Sequence, residues 1–352
     1  MHLLNPQTQP DAIELAAQRL AEGGLLALPT ETVYGLGARA DDDEAVARIF
    51  AAKGRPSNHP LIVHVASARA ALCFAESIPP SAQRLMDAFW PGPLTVIVPR
   101  HPDCARAAAG GQHSIGLRCP DHPLALRLLE QAARLGVLGV AAPSANRFGR
   151  ISPTKAEHVV SEFQGQGEGL DEVWVLDGGP CEVGIESTIV DCSRGYPVLL
   201  RPGQITLRQI QAVTGEMVGR SSPDKPDPNA PRAPGTLMAH YAPRAKVRLM
   251  PGDLMLVALD AFELEVKEHP ALLHESRPRL AVYSRSMWAH RASVPGVVQR
   301  AMPADAATAA HALFADLREL DALGVDLIWV ETPPDEQIWA GVLDRLTRAA
   351  AS

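Results

Sequence analysis

The sequence predicts an α/β protein with two domains. Short apolar runs alternate with segments whose apolar residues recur at helical spacing, a pattern typical of strands that alternate with helices. The chain has 352 residues, which is long for a single hydrophobic core. The composition also changes after Gly215: residues 218–234 are dominated by Pro, Ser, Asp and Arg, and such a stretch predicts a linker between domains.

The amino-terminal elements follow from local patterns. Residues 11–22 predict a helix with Asp11 as its cap, and residues 25–28 predict a buried strand. Three acidic residues, Asp41-Asp42-Asp43, suit the positive end of a helix that runs to Phe50. A metal site at this triplet is the less favoured alternative.

The remaining predicted elements alternate in the same way. In the first domain we expect strands at residues 61–65, 94–98, 114–118, 139–142, 173–176, 187–190 and 197–201, and helices at 67–74, 81–89, 122–135, 154–163 and 206–213. After the linker we expect strands at 247–250, 254–259, 280–283 and 327–330, and helices at 304–323 and 336–349. The second domain is therefore predicted to be a small open α/β unit.

The charge and the cysteines exclude several classes of protein. A net charge of −7 and 5% aromatic residues argue against a protein that binds nucleic acids over a wide basic face. Five cysteines without a C-x-x-C pair argue against a zinc cluster or a disulfide framework. No signal peptide and no membrane-spanning run is visible. We expect a cytoplasmic protein that does not associate with membranes.

Several predicted strands end in hydroxyl groups or cations. Arg118 ends one strand, His64 lies within another, and Lys53-Gly-Arg55 precedes the latter. Taken singly, a Lys-x-Arg pair is more often solvated surface, and a histidine in an apolar strand is more often a core residue. Polar strand ends can nevertheless line one crevice, and two convergent cations suit a polyphosphate. The chain has neither a P-loop nor a G-x-G-x-x-G turn.

Six segments stand out when they are taken together and in order. They are Pro29-Thr-Glu-Thr-Val-Tyr-Gly-Leu-Gly37, Lys53-Gly-Arg55-Pro56, Pro143-Ser-Ala-Asn146, Ser152-Pro-Thr154, Glu186-Ser-Thr-Ile-Val-Asp191 and Leu200-Arg-Pro-Gly203. This set resembles the YrdC/Sua5 family of threonylcarbamoyl-AMP synthases, which begin tRNA t6A synthesis. The later segment His240-Tyr241-Ala242-Pro243 matches the one by which Sua5 proteins join their second domain.

The resemblance covers nearly the whole chain and implies its architecture. A catalytic domain with a YrdC-like twisted mixed β-sheet and flanking helices would occupy residues 8–215. A linker would follow at 216–243, and a smaller Rossmann-like Sua5 domain at 244–352.

The resemblance also implies a nucleotidyltransferase reaction. L-Threonine, bicarbonate and ATP would give threonylcarbamoyl-AMP and pyrophosphate, with Mg²⁺ accompanying ATP as the cofactor and with no metal ligands assigned on the protein. The product would pass to the tRNA threonylcarbamoyl-transferase machinery, with no more than a weak direct contact to tRNA. Such chemistry asks the protein mainly for positioning and charge stabilisation.

The site residues implied by motif position fall into two sets. Lys53 and Arg55 would be the catalytic cations. ATP would be bound by Lys53, Arg55, His59, Ser114, Ser144, Asn146, Ser152 and Arg201. Threonine would be bound by Thr32, His64, Arg118, Ala142 and Ser187, with Arg118 as a bidentate clamp on the carboxylate.

Two of these positions depart from the family pattern. His59 stands where many relatives carry an asparagine that contacts the nucleotide. Ala142 stands where some relatives carry a hydroxyl, so only its backbone could contribute. We also hypothesise that the linker, with Pro234-Gly235, His240 and Tyr241, folds over the site as a lid, because its polar composition directly follows the catalytic domain.

Two other functions remain as alternatives. A domain of this fold could be an RNA-binding module, although an acidic chain with few aromatic residues makes this less favoured. A carbamoyl-adenylate-forming enzyme of the hydrogenase-maturation type would carry acylphosphatase and zinc-finger regions, and the absence of C-x-x-C pairs argues against it.

Overall fold

The structure is a computed structural model that describes residues 1–165, 172–221, 227, 229–269, 279–286 and 294–352. Its contacts divide the chain into two units. Unit 1 comprises Met1–Phe148 and Ser152–Thr236, and unit 2 comprises Gly149–Ile151 and Leu237–Ser352. The predicted linker lies partly outside the described residues, at 222–226 and 228.

Unit 1 is built on a mixed sheet of eleven strands. The strands are β1 His2–Leu4, β2 Leu26–Leu28, β3 Gly35–Arg39, β4 Ile62–His64, β5 Leu94–Pro99, β6 Ser114–Arg118, β7 Val140–Ala141, β8 Trp174–Leu176, β9 Thr188–Asp191, β10 Val198–Arg201 and β11 Gly219–Arg220. Their order across the sheet is β1-β8-β2-β3-β7-β4-β6-β5-β9-β10-β11. This confirms the predicted α/β class and the mixed sheet of the first domain.

Helices pack against this sheet through two apolar clusters. They are α1 Ala12–Ala21, α2 Asp43–Lys53, α3 Ala68–Ala71, α4 Pro80–Phe89, α5 Pro123–Arg134, α6 Ala156–Phe163 and α7 Leu207–Thr214. One cluster contains Ile49, Phe74 and Phe163, and the other joins α1 to α5 through residues such as Leu20 and Leu128. Burial of these side chains is the main contribution to the stability of the unit.

Two helix N-termini test the predicted caps. The Asp42 carboxylate accepts hydrogen bonds from the N–H groups of Glu44 and Ala45, which confirms that the acidic triplet begins a helix. Asp11 makes no such bond, so the prediction that it caps α1 is wrong. Its φ of −90° and ψ of 8° depart from the extended backbone that lets a capping side chain reach the first turn.

Strand β3 was not predicted, because its glycines read as a loop. A Cβ added at Gly37 would lie 2.7 Å from Val140 Cγ1 and 2.8 Å from Leu28 Cδ2. A Cβ at Gly35 would lie 3.0 Å from that of Ala142. A side chain at either position would therefore displace its neighbours, so glycine suits the close approach of these strands.

Unit 2 contains a four-stranded parallel sheet in the order β12-β15-β13-β14. Its strands are β12 Lys246–Met250, β13 Leu280–Ser284, β14 Val297–Ala301 and β15 Leu327–Glu331, and its helices are α8 Gly252–Glu268, α9 Ala306–Ala322 and α10 Ala340–Ala350, preceded by a 3₁₀ turn at Gln337–Trp339. The parallel sheet with intervening helices confirms the predicted open α/β architecture. None of the helices in the described part of the chain is long and apolar enough to cross a membrane.

The strand predicted at residues 254–259 is wrong, because this segment belongs to α8. Of its apolar run, Met255 and Leu259 are buried, four residues apart, while Leu254 and Val257 are exposed. That spacing is helical. A continuous apolar run does not by itself distinguish a buried strand from a helix.

Candidate active site

His64 and Arg118 lie side by side at the carboxyl ends of β4 and β6. The two strands run parallel, with Ile62 opposite Gly116 and His64 opposite Arg118. His64 and Arg118 are each 3% exposed. Burial, with a further effect from the Arg118 charge, lowers the pKa of His64 to about 3. The imidazole is therefore neutral at neutral pH and can accept a hydrogen bond beside a cation.

Glu31 completes this end of the site. Its Oε1 lies 2.6 Å from Arg118 Nη2, and both side chains are 4% exposed. Arg118 Nε also donates to the Gly92 carbonyl at 3.4 Å. A buried guanidinium needs an anion, and Glu31 supplies one.

Two pairs of hydroxyl groups include residues of the predicted threonine set. Thr32 Oγ1 lies 2.9 Å from Thr30 Oγ1, which donates to the Val33 carbonyl at 2.6 Å. Ser187 Oγ lies 2.8 Å from Thr95 Oγ1. The predicted residues Thr32 and Ser187 are both fully buried. They therefore offer polar atoms to a bound group and not to bulk water.

Arg201 holds Ser187 in place. Its Nε and Nη2 donate to the Ser187 carbonyl at 3.1 and 2.8 Å, and Nη2 also reaches Ser187 Oγ at 3.2 Å. Nη1 donates to the Pro234 carbonyl at 3.0 Å. The neighbouring linker residue Ala233 packs in a cluster with Ile62 and Ile97 of the sheet. Part of the predicted linker thus lies on the sheet of unit 1.

Lys53 organises the loop that follows β7. Its ammonium donates to the carbonyl of Ser144 at 2.6 Å and to that of Asn146. Leu36 N–H donates to the Pro143 carbonyl at 2.7 Å and Ala145 N–H to that of Tyr34 at 2.8 Å, which fixes the loop against β3. Burial, with a further effect from the Arg55 charge, holds the pKa of Lys53 well below its usual value. The amine lies inside the loop and not on the surface.

Arg55 and His59 share an aromatic neighbour. The Arg55 guanidinium lies 5.6 Å from the Phe148 ring, and the His59 ring lies 5.5 Å from it in an edge-to-face arrangement. Arg55 Nη2 also donates to the Pro60 carbonyl at 2.9 Å. Burial, followed by the Arg55 and Arg232 charges, lowers the pKa of His59. Arg55, His59 and Phe148 together combine a planar cation with two aromatic rings, which suits the nucleobase and the phosphates of a nucleotide.

The remaining predicted site residues are Ser114 and Ser152 of the nucleotide set and Ala142 of the threonine set, all in unit 1. Ser114 begins β6 and lies four residues, or about 13 Å, from Arg118 along the strand. Ser152 is fully buried, and its hydroxyl donates to Glu186 Oε1. Ala142 has no polar side-chain atom, and its N–H donates to the Ile62 carbonyl at 2.9 Å. The Ala142 backbone is therefore already paired through its N–H.

His240 and Tyr241 were predicted to form part of the lid. Both belong to unit 2, where the Tyr241 ring lies 5.5 Å from that of Phe314 and 5.6 Å from the Arg345 guanidinium. His240 lies edge-to-face on Tyr241 at 4.2 Å, and both are buried. Their role in a lid stays a prediction.

The sequence interpretation missed four residues: Glu31, Thr95, Phe148 and Glu186 contact predicted site residues but were not assigned to the site. Glu31 and Glu186 stand within motifs that were already singled out. A charged residue beside a buried strand, opposite in sign to Arg118, was the signal that could have identified Glu31.

The geometry separates two chemical environments along β4 and β6. The carboxyl ends present a cation, a carboxylate, a neutral imidazole and hydroxyl groups. The end of α2 and the segment between α2 and β4 present Lys53, Arg55 and His59. The first environment suits a small zwitterion and the second suits an organic polyphosphate.

Models of known protein families match both parts of the chain. The Sua5–YciO–YrdC family model, described as telomere recombination, matches residues 18–203. A second model, described as the C-terminal domain of threonylcarbamoyl-AMP synthase, matches residues 205–351.

Similar full-length proteins are known from archaea and bacteria. Threonylcarbamoyl-AMP synthase from Pyrococcus abyssi is 38% identical over 96% of this chain and 94% of its own length. The Bacillus subtilis protein of the same name is 38% identical over 97% and 94%. The crystal structure of P. abyssi Sua5 complexed with L-threonine has a TM-score of 0.84 at 36% identity, over 99% of this chain and 97% of that one. The chain therefore belongs to the Sua5–YciO–YrdC family, in its two-domain Sua5 form.

Proposed function

We propose that this enzyme is an L-threonylcarbamoyladenylate synthase, a nucleotidyltransferase. It forms threonylcarbamoyl-AMP and pyrophosphate from L-threonine, bicarbonate and ATP, and the product serves tRNA t6A37 modification. The names of the full-length relatives support this activity, and the complex of P. abyssi Sua5 with L-threonine supports the amino acid.

One observation in the structure supports the proposal most directly. The parallel strands β4 and β6 carry His64 and Arg118 at their carboxyl ends, while Lys53 ends α2 and Arg55 follows it, before β4. An enzyme that joins an amino acid to a nucleotide needs such neighbouring environments, because the reacting groups must meet in one orientation.

At the amino-acid end, Arg118 clamps the carboxylate of threonine. A guanidinium fork is suited to a carboxylate in two parallel hydrogen bonds. The neutral imidazole of His64 and the hydroxyls of Thr32 and Ser187 then face the remaining polar groups. The threonine nitrogen becomes carboxylated, and an oxygen of the resulting carbamate attacks the α-phosphorus of ATP.

At the nucleotide end, the cations stabilise charge that develops on the phosphates. Lys53 spends two of its three N–H donors on the Ser144 and Asn146 carbonyls, which leaves one for a phosphate oxygen. Arg55 supplies a planar fork. Removal of Lys53 should therefore disturb both the loop and the phosphate contact.

Mg²⁺ is proposed to arrive with ATP. The described residues contain no group of three or more His, Cys, Asp or Glu side chains arranged to hold a metal ion. The ion is thus expected to be held mainly by phosphate oxygens and water, as is usual for nucleotide-bound Mg²⁺, and we assign no step to it.

The cellular setting is proposed on the same basis. The enzyme would act in the cytoplasm and deliver its product to the tRNA threonylcarbamoyl-transferase machinery. The linker would cover the site as a lid, which the contact of Arg201 with the Pro234 carbonyl supports.

A leave-one-out assay tests the proposed reaction. Pyrophosphate release should require threonine, bicarbonate, ATP and Mg²⁺ together. Arg55→Ala and Lys53→Ala should each lower the rate by a hundredfold or more, on the order of the effect of removing a charge-stabilising group. Arg69→Ala is the matched control, because Arg69 is exposed, and its rate should be unchanged.

Each alternative function gives a different result in this assay. Release of pyrophosphate without threonine would indicate another acceptor, such as a carbamoyl-adenylate-forming reaction. No release from any mixture, together with salt-sensitive tRNA binding, would favour an RNA-binding module.

A further inference from the structure

The buried pair of Glu31 and Arg118 has spare hydrogen-bonding capacity. Taking two charges out of water is costly, and the attraction of the pair compensates only when the remaining polar atoms are also satisfied. Neither carboxylate oxygen of Glu31 has a hydrogen-bond partner among the described residues, although Oε1 lies 2.6 Å from Arg118 Nη2. Glu31 is thus a buried anion that can still accept hydrogen bonds.

The titratable side chains that interact with Glu31, those of His122, Cys119 and Cys181, do not add a second positive charge beside it. Burial lowers the pKa of His122, so its imidazole is neutral at neutral pH. Burial raises the pKa of Cys119 to about 11 and raises that of Cys181 as well, so both remain thiols. In the described part of the chain, Arg118 is the cation paired with Glu31, and a bound cationic group would find the acceptor sites open.

The shape of an α-amino acid matches this pair. Its carboxylate and ammonium are attached to one carbon, so a carboxylate on Arg118 places the ammonium beside the neighbouring carboxylate. We infer that Glu31 binds the ammonium group of threonine and accepts the proton that this nitrogen must lose before it reacts. The inference rests on the proposed function, because it assumes that threonine is the substrate and that Arg118 binds its carboxylate.

Arg118 can serve both carboxylates at once. A guanidinium has five N–H donors. Nη2 faces Glu31, and Nε faces the Gly92 carbonyl at the long distance of 3.4 Å. Donors therefore remain for the substrate, and Glu31 need not leave its position when threonine binds.

The proton transfer and the bond formation balance as follows. An N–H bond of the ammonium breaks, its electron pair stays on nitrogen, and the proton goes to Glu31. The neutral amine then forms a bond to the carbon of bicarbonate, whose C–OH bond breaks. The departing hydroxide takes a second proton from nitrogen and leaves as water, which gives the carbamate. Glu31 returns its proton to water when the product leaves.

Threonine and its analogue without the amino group, 3-hydroxybutanoate, provide the test. Both carry the carboxylate that Arg118 binds, and only threonine carries an ammonium. Binding of each to the full-length protein is measured by calorimetry for the wild type, Glu31→Gln and Glu31→Asp. The wild type should prefer threonine by tenfold to a hundredfold, on the order of the contribution of a charge-assisted hydrogen bond.

Glu31→Gln should abolish this preference, because it should weaken the binding of threonine and leave that of 3-hydroxybutanoate unchanged. Glu31→Asp should keep part of the preference. Equal losses for both ligands in Glu31→Gln would overturn the inference, since they would mean that Glu31 only positions Arg118. If the glutamine variant does not fold, the affinities of the wild type still test the inference, because equal affinity for the two ligands would contradict ammonium binding by Glu31. No threonine binding by the wild type would instead contradict the proposed function.

Turnover provides a second readout. If Glu31 takes the proton, Glu31→Gln should lower kcat at saturating threonine as well as raise KM. Glu182→Gln is the matched control, since Glu182 is an exposed carboxylate next to Val183, whose N–H donates to the Glu31 carbonyl at 2.7 Å, and it should change neither. A variant with raised KM and unchanged kcat would reduce the role of Glu31 to binding and overturn the proton-transfer step.

Discussion

Two buried glutamates, Glu31 in unit 1 and Glu331 in unit 2, differ in how many hydrogen bonds their carboxylates accept. Glu331 Oε2 accepts hydrogen bonds from Ser284 Oγ at 2.5 Å, from the N–H of Arg285 at 2.8 Å and from the N–H and Oγ of Ser286, both at 2.9 Å. Arg285 Nη2 donates to Oε1 at 3.1 Å. Both carboxylate oxygens of Glu331 thus accept hydrogen bonds, whereas Glu31 has an ion pair with Arg118 and oxygens that can still accept hydrogen bonds.

The difference indicates which carboxylate is structural. Burial opposes ionisation of Glu331, but hydrogen bonds from Ser284, Ser286 and Arg285 outweigh it and hold its pKa below the usual value. These bonds tie the ends of β13 and β15 together beside the start of α8, where an added Cβ on Gly252 would lie 3.4 Å from Glu331. Glu331 fills a place at a helix N-terminus that could otherwise attract an external anion.

The largest expected effect comes from breaking the ion pair of Glu31 and Arg118. Arg118→Ala leaves the Glu31 carboxylate buried and uncompensated, so we expect the free energy of unfolding to fall by about 3–5 kcal/mol. The value of kcat/KM for threonine should fall on the order of a hundredfold or more. Denaturant unfolding and steady-state kinetics measure the two effects.

A double variant separates stability from function. Arg118→Met combined with Glu31→Leu removes both charges, and it should recover most of the lost stability while remaining inactive. A double variant as unstable as Arg118→Ala would show that the pair is structural, like the Glu331 cluster.

Glu331→Gln tests the hydrogen bonds of Glu331. The amide cannot accept every hydrogen bond that the carboxylate accepts, and we expect a loss of about 2–3 kcal/mol in the stability of unit 2. Amide hydrogen exchange at Arg285 and Ser286 should become faster, because their N–H groups lose a charged acceptor. Glu336→Gln, at an exposed position, is the control, and equal exchange in the two variants would contradict the structural role.

A smaller, pH-dependent effect is expected from His64. Its pKa is about 3 in the folded protein and about 6.5 in the unfolded chain. The unfolded state therefore binds more protons between these values, so the stability of unit 1 rises with pH across this window and is lost as pH falls through it.

Unfolding of the wild type and His64→Gln between about pH 5 and pH 7 measures this contribution. The wild type should gain about 2 kcal/mol more than the variant over that range. His113→Gln, at an exposed position, should behave as the wild type. A parallel pH dependence in His64→Gln would mean that His64 titrates normally.

The sequence predicted what depends on local pattern. The strands and helices predicted for the first domain are present in unit 1, but β1, β3 and β11 were not predicted, and in β3 the glycines hid a strand. In unit 2 the run at 254–259 was assigned to the wrong kind of element, because an apolar run of that length satisfies both periodicities when read alone. Which residues of such a run face the core is decided by the rest of the sheet.

The candidate site was predictable in the same partial way. Arg118 and His64 could be singled out because a polar residue in a buried strand needs an explanation. The contacts between site residues could not be predicted, because Thr95 and Ser187 meet across 92 residues of chain and Glu31 meets Arg118 through the order of strands in the sheet. Local patterns carry no information about such pairings.

The segment Gly149–Ile151 has a consequence for any attempt to exchange parts between relatives. It belongs to unit 2, where Ala242 N–H donates to the Gly149 carbonyl at 2.8 Å and Arg318 donates to that of Ile151. The chain thus passes between the units after Phe148, after Ile151 and after Thr236. A chimaera joined at residue 236 would pair a foreign carboxyl-terminal half with native residues 149–151. A transplant that respects the architecture must carry these three residues with it.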